Sequence, residues 1–259
     1  MAPEKKKKNQ NKASQEAEMT FLEHLEELRR RILYCVLAVL VSFGVIYLLF
    51  KEPLVKYFLL PMEKAIAGKG NFQFTAPAEG FLFALKICFL ASIFASSPIL
   101  FYQFWKFVAP GLYRQEKKYL FPFIFFSTIF FIGGAVFGYL VVFPIGFQFF
   151  ARFTFYGVEI NPRLSDYFSF ATKMLFAFGL VFELPLIAIF FARIGLIDHH
   201  FMNRNRKYAL ILIFTLAAIF TPPDVVSQLL LAIPLWFLYE LSVLLVWLFQ
   251  PSRKSQLAG

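Results

Sequence analysis

Residues 168–192 read FSFATKMLFAFGLVFELPLIAIFFA, 25 positions in which Lys173 and Glu183 are the two charges. A helix needs about 20 mostly apolar residues to cross roughly 30 Å of hydrocarbon, so this stretch is long enough to span a bilayer. Glu183 stands about halfway along it, and a carboxylate there is expensive in contact with lipid. The segment therefore belongs in a bundle, with Glu183 turned toward protein or toward a wet groove.

Five more apolar runs extend the pattern: 32–50, 81–105, 119–143, 208–221 and 229–249. The first and third are uncharged, the second carries Lys86, and the last carries Glu240. The whole chain of 259 residues is 59% hydrophobic, against the roughly 45–50% of a soluble domain. The run at 208–221 is short, about 21 Å at 1.5 Å per residue. A buried or re-entrant piece is the alternative to a span there. Counting it as a span makes the loops alternate, with 18 Lys and Arg on the side of the N-terminus and 6 on the other. That bias puts both termini in the cytoplasm, and omitting the fifth span would put the basic C-terminus on the wrong side. The expected fold is thus an all-α polytopic membrane protein with six transmembrane helices.

The first apolar run follows some 30 charged and polar residues and ends without a small-residue cleavage motif, unlike a removable signal peptide. Residues 1–18 read as a disordered basic tail, 19–250 as the membrane domain and 251–259 as a C-terminal tail. The net charge of +10 reads as topology and attraction to anionic lipid. No zinc cluster or recognition-helix pattern supports nucleic-acid binding. Cys35 and Cys88 lie in apolar runs, without disulfide or metal spacing.

The external segments 51–80 and 144–167 are rich in aromatics and are expected to form a cap lying in the interface. Pro98, Pro185 and Pro234 fall inside spans and are expected to kink them. Gly134 and Gly138 form a GxxxG pair suited to a close helix crossing. With the short fifth helix, these breaks suggest a curved, concave bundle. Internal repeats and matched broken helices are absent, which weakens a secondary transporter.

The acidic residues carry the functional question. Phe21, Leu22, Leu25, Leu28 and Ile32 follow a helical period, which leaves Glu23, Glu27 and Arg30 on another side. An interfacial helix anchored by its arginines is one account; it does not explain glutamates against an anionic surface. Glu116, in a short cytoplasmic loop, either pairs with Arg114, Lys117 or Lys118 or meets a partner. Glu27 and Glu116 together suit the guanidinium groups of a bound peptide, because bidentate pairing favours arginine over lysine. For Glu183 the choice is between a hydrogen bond to backbone freed near Pro185 and a role in the groove, and for Glu240 helix packing leads. His24, His199 and His200 sit away from any serine or acid in catalytic geometry, and no P-loop, GxGxxG or metal-spaced cluster occurs. An enzyme and a bound cofactor are therefore not expected.

Several segments resemble the TatC family, the multi-spanning receptor of the twin-arginine protein translocase. They are His24-Leu-Glu-Glu-Leu-Arg29, residues 97–105 (SPILFYQFW), 109–116 (APGLYRQE), 178–185 (FGLVFELP), 220–224 (FTPPD) and 228–234 (QLLLAIP). The resemblance implies a receptor in the cytoplasmic membrane that docks folded proteins carrying Arg-Arg signal peptides. Glu27 and Glu116 match the acidic positions that recognise the arginine pair, and Arg29 a basic neighbour. Glu183 matches the membrane-embedded glutamate of the concave side and Asp224 an outer-loop acid. TatB-like and TatA-like single-span partners, self-association and the proton-motive force are implied likewise. The rival from another class is a secondary transporter or channel with Glu183 as an intramembrane ion or proton site.

Overall fold

The computed structural model describes residues 3–66, 71–73, 76–108, 120–152, 161–221 and 224–249, with side chains from Glu23 onward. Those residues form helices α1 (Pro3–Ile66), α2 (Glu79–Val108), α3 (Leu120–Phe137), α4 (Phe143–Arg152), α5 (Leu164–Phe182), α6 (Leu184–Arg193), α7 (His199–Arg204), α8 (Arg206–Phe220) and α9 (Val225–Phe249). A π-helical turn, Gly138–Val142, joins α3 to α4. Five stretches among the described residues are long and apolar enough to cross a membrane: Glu23–Ile66, Glu79–Phe107, Phe121–Arg152, Leu164–Arg193 and Val225–Leu248. The run 208–221 lies in α8, whose 15 residues reach about 22 Å. The chain is an all-α polytopic membrane protein.

Helical backbone begins at Pro3; Lys, Gln, Ala and Glu are all good helix formers. At the other end, α1 continues through Pro53 and Pro61 to Ile66, into the external segment 51–80. Proline 61 removes the donor that would have bonded the Tyr57 carbonyl. The Tyr139 hydroxyl, on the π turn, donates to that carbonyl instead, and the Tyr167 hydroxyl donates to the carbonyl of Phe58. The π turn has a similar origin. Proline 144 supplies no N–H, and the Phe143 amide bonds back five residues to Gly138, the wider spacing of a π turn.

Pro98 lies within α2, and the Ser97 hydroxyl donates at 2.7 Å to the Phe94 carbonyl that Pro98 leaves unbonded. At Pro185 the chain breaks instead: α5 stops at Phe182, Glu183 forms a turn and α6 starts at Leu184. Pro234 lies inside α9. Gly195, at φ 78°, ends α6 in the left-handed region that favours glycine, and the Leu196 amide reaches back to the Phe191 carbonyl.

The core gathers aromatic rings from α1, α2, α4 and α5. Phe58 meets Phe83, Tyr167 and Phe168 edge-on or tilted at 5.5–6.0 Å. Phe147 packs against Tyr167 at 5.4 Å. One bridge pairs Gln73 with Arg163, and the Ser165 amide bonds the Glu79 carboxylate at 3.1 Å, so α2 and α5 are joined at their N-terminal ends. Along the apolar run of α1, Leu33, Leu37, Leu40, Val41, Leu48 and Leu49 stay exposed, a surface suited to lipid tails.

Gly134 and Gly138 both abut Phe178 of α5. A Cβ at Gly134 would collide with the Phe178 carbonyl, and one at Gly138 would come within 2.9 Å of the Phe178 ring. Gly133 faces open space. Gly134→Ala should therefore lower stability by about 1–3 kcal/mol, whereas Gly133→Ala should be neutral or slightly stabilising from helix propensity. Thermal unfolding of the purified protein in detergent checks the pair.

Candidate functional site

Glu27 lies on α1 ahead of the apolar run and is part-exposed. The Arg31 side chain, one helical turn on, donates through Nε to Glu27 Oε1 at 3.1 Å, and its Nη2 reaches the same oxygen. Arg31 Nη1 donates to Gln103 Oε1 of α2 at 3.3 Å. His24 stacks on Phe107 of α2 with centroids 4.4 Å apart, and its Nδ1 stands 3.9 Å from Glu27 Oε2. Helices α1 and α2 are thus pinned at two levels, and Glu27 sits between them. A groove of about 460 Å³ opens beside it, lined by Glu23, Glu26, Glu27, Arg29, Arg30 and Leu33. Arg29 lines the same groove as Glu27. Glu116 and its loop lie outside the described residues.

The Arg31 hydrogen bond holds the Glu27 carboxyl below its ordinary range, against a desolvation that pushes the other way; the charges of Arg31, His24 and Arg30 add to the lowering. In the sequence, Arg31 belonged to a helix for which anchoring by its arginines was one account. Its i, i+4 spacing from Glu27 was a readable signal for a pair, but the Gln103 contact, 72 residues away, had none.

Glu183 occupies the turn between α5 and α6 and is 4% exposed. The Ser127 side chain of α3 lies beside its carboxyl, and the Trp105 indole N–H donates to Ser127 Oγ at 3.1 Å. Its Oε1 is buried with no partner among the described residues. The Glu183 backbone amide bonds back to the Leu180 carbonyl at 3.1 Å, and the glutamate side chain faces Ser127 of α3. This Trp105–Ser127–Glu183 chain was not legible in sequence, since its members come from three separate spans.

Asp224 precedes α9, where its Oδ1 accepts the Ser227 amide at 2.7 Å, an N-cap contact. Its Oδ2 and the Ser227 hydroxyl are buried without partners among the described residues. Glu240 pairs with Arg206 of α8 at 2.7 Å, and neighbouring Tyr239 donates to the Met202 carbonyl at 2.7 Å. Glu240 thus joins α8 to α9 through an ion pair. Among the described residues, no group of three or more His, Cys, Asp or Glu is placed to hold a metal ion.

Comparison with known proteins gives consistent matches. The family model described as Sec-independent protein translocase protein (TatC) matches residues 23–234. A protein of that description from Desulforapulum autotrophicum is 44% identical over 241 residues, 93% of this chain and 89% of its own. One from Campylobacter jejuni is 42% identical, covering 90% of this chain and 96% of its own. Two crystal structures of the twin arginine translocase receptor TatC, one of them in the detergent DDM, superpose with TM-scores of 0.75 and 0.77. Each is 32% identical, with 86% of this chain and 97% or 99% of the solved chain covered.

A lowered carboxyl pKa in the folded state means that the Glu27–Arg31 pair contributes above the unfolded value and is lost as pH falls through the folded one. Arg31→Leu should therefore raise the Glu27 titration midpoint toward the ordinary carboxylate range. Infrared difference spectra of the carboxylate band, referenced to Glu27→Gln, measure that midpoint.

Proposed function

Because the chain belongs to the TatC family of Sec-independent protein translocase proteins, we propose that within twin-arginine translocation it is the receptor that reads the arginine pair of signal peptides. In this reading Glu27 and Glu116 accept the two guanidinium groups and Arg29 helps to orient the peptide. The single observation that carries it is the Glu27 carboxylate, part-exposed on a groove that also holds Arg29. A carboxylate there is met better by a planar guanidinium, whose rigidly directed donors suit an aimed oxygen, than by a compact ammonium.

The finer topology belongs to the same proposal. Helix α8 acts as a short fifth span, giving six crossings with both termini in the cytoplasm. The chain sits in the cytoplasmic membrane of a prokaryote as a curved, concave bundle. The aromatic contacts around Phe58, Phe147 and Tyr167 support an outer cap. Single-span TatB-like and TatA-like proteins are the partners, with copies of this chain associating in a receptor complex and the proton-motive force driving transport. Glu183 serves the step after docking, and Asp224 acts at the outer turn before α9. Pro98, Pro185 and Pro234 shape the helices that line the concave side.

Glu27→Ala or Glu116→Ala should weaken binding of an Arg-Arg signal peptide while the protein stays inserted. Equal affinity in both single variants and the double variant would remove the site from consideration. Photocrosslinks from an Arg-Arg peptide should fall in residues 21–31 and 106–118 and fade with Lys-Lys. For Glu183→Ala the expected outcome is lost export with peptide docking retained, read in separate export and binding assays.

A further inference from the structure

Arg31 is 8% exposed, whereas Arg29 and Arg30 beside it are exposed. An arginine that serves only to anchor a helix in lipid headgroups keeps its guanidinium in the wet interface. Arg31 instead turns inward and spends its donors on two protein oxygens, Glu27 Oε1 and Gln103 Oε1. Gln103 and Phe107, one turn apart on α2, hold Arg31 and His24 of α1 respectively. The guanidinium is thus fixed from a second helix.

The consequence falls on Glu27. Its Oε1 already accepts two N–H groups from Arg31, while Oε2 has only the long approach of His24 Nδ1, at 3.9 Å. A guanidinium arriving from the groove cannot form the parallel two-oxygen fork while Arg31 is in place. It meets one oxygen, at a fixed angle.

We propose that Arg31, clamped by Gln103, is a positioning residue for peptide recognition: it occupies one oxygen of Glu27 and presents the other to the groove. This rests on the reading that Glu27 receives a peptide arginine. A held carboxylate discriminates by direction, so the clamp contributes to the preference for arginine over lysine. A lysine ammonium, a point charge with rotatable donors, is indifferent to how the oxygen is aimed.

The test uses the full-length protein in nanodiscs and fluorescent signal peptides bearing Arg-Arg or Lys-Lys. Arg31→Lys keeps the charge but cannot fork between Glu27 and Gln103. Gln103→Leu keeps the ion pair and removes its anchor. Each should weaken Arg-Arg binding roughly tenfold, the loss of about one charge-assisted hydrogen bond, and leave the weaker Lys-Lys binding unchanged. The double variant should be no worse than the poorer single one, since the two residues act as a unit. Wild-type Arg-Arg affinity in both single variants would overturn the proposal, as would tighter binding by Arg31→Lys, the mark of a competitor. Parallel loss of both peptides with a lowered thermal midpoint would overturn it too, by showing a merely structural role. Glu27→Gln separates the layers. If it binds Arg-Arg as the wild type does, the reading of Glu27 itself fails. If it weakens binding while the Arg31 and Gln103 variants do not, only the clamp fails.

Discussion

Hydrocarbon offers no water to an unpaired backbone carbonyl, and each one left open costs several kcal/mol. Much of the architecture answers that constraint. Within a span Ser97 takes the carbonyl vacated by Pro98, and in the external segment the Tyr139 hydroxyl takes the one vacated by Pro61. At Pro144 the helix widens into a π turn, and at Pro185 it breaks, with the Glu183 amide bonded back to Leu180. Four prolines thus have three kinds of solution: a borrowed hydroxyl, a shifted register and a break. The break is the one that frees a side chain, and that side chain is Glu183.

Glu27 and Glu183 are handled in opposite ways. Glu27 sits where water is near, and its charge is kept by a neighbouring guanidinium and shown to a groove. Glu183 is enclosed, linked to Ser127 and through it to Trp105, with one oxygen unanswered among the described residues. Glu240, which lies in an equally apolar run, is answered by Arg206. The contrast separates a carboxylate that closes a helix contact from one left available.

How much of this was legible in sequence follows from range. Spans are written in run length, because lipid thickness imposes it on each segment alone, and the short α8 was visible for the same reason. The pair Gly134 and Gly138 announced a close crossing, though nothing local named Phe178 as the other side. That residues 51–66 would continue α1 past Pro53 and Pro61 was not written locally, since the hydroxyl that answers one of these prolines lies 82 residues away. Glu27 could be picked out from its place on an amphipathic helix and from family resemblance. Its coupling to Gln103 required two helices to meet, which no periodicity records.

Between Glu27 and Glu52, α1 is a proline-free stretch about 38 Å long. Such a rod ties two interfaces mechanically. A tilt of roughly 5° about its midpoint carries each end about 1.7 Å, in opposite directions, for a 1.5 Å rise per residue. Its Glu27 end is held by the Gln103 and Phe107 contacts, and beyond its Glu52 end Phe58 is wedged among the rings of α2 and α5. Leverage is therefore built into the first helix: whatever shifts one end is felt, with reversed sign, at the other.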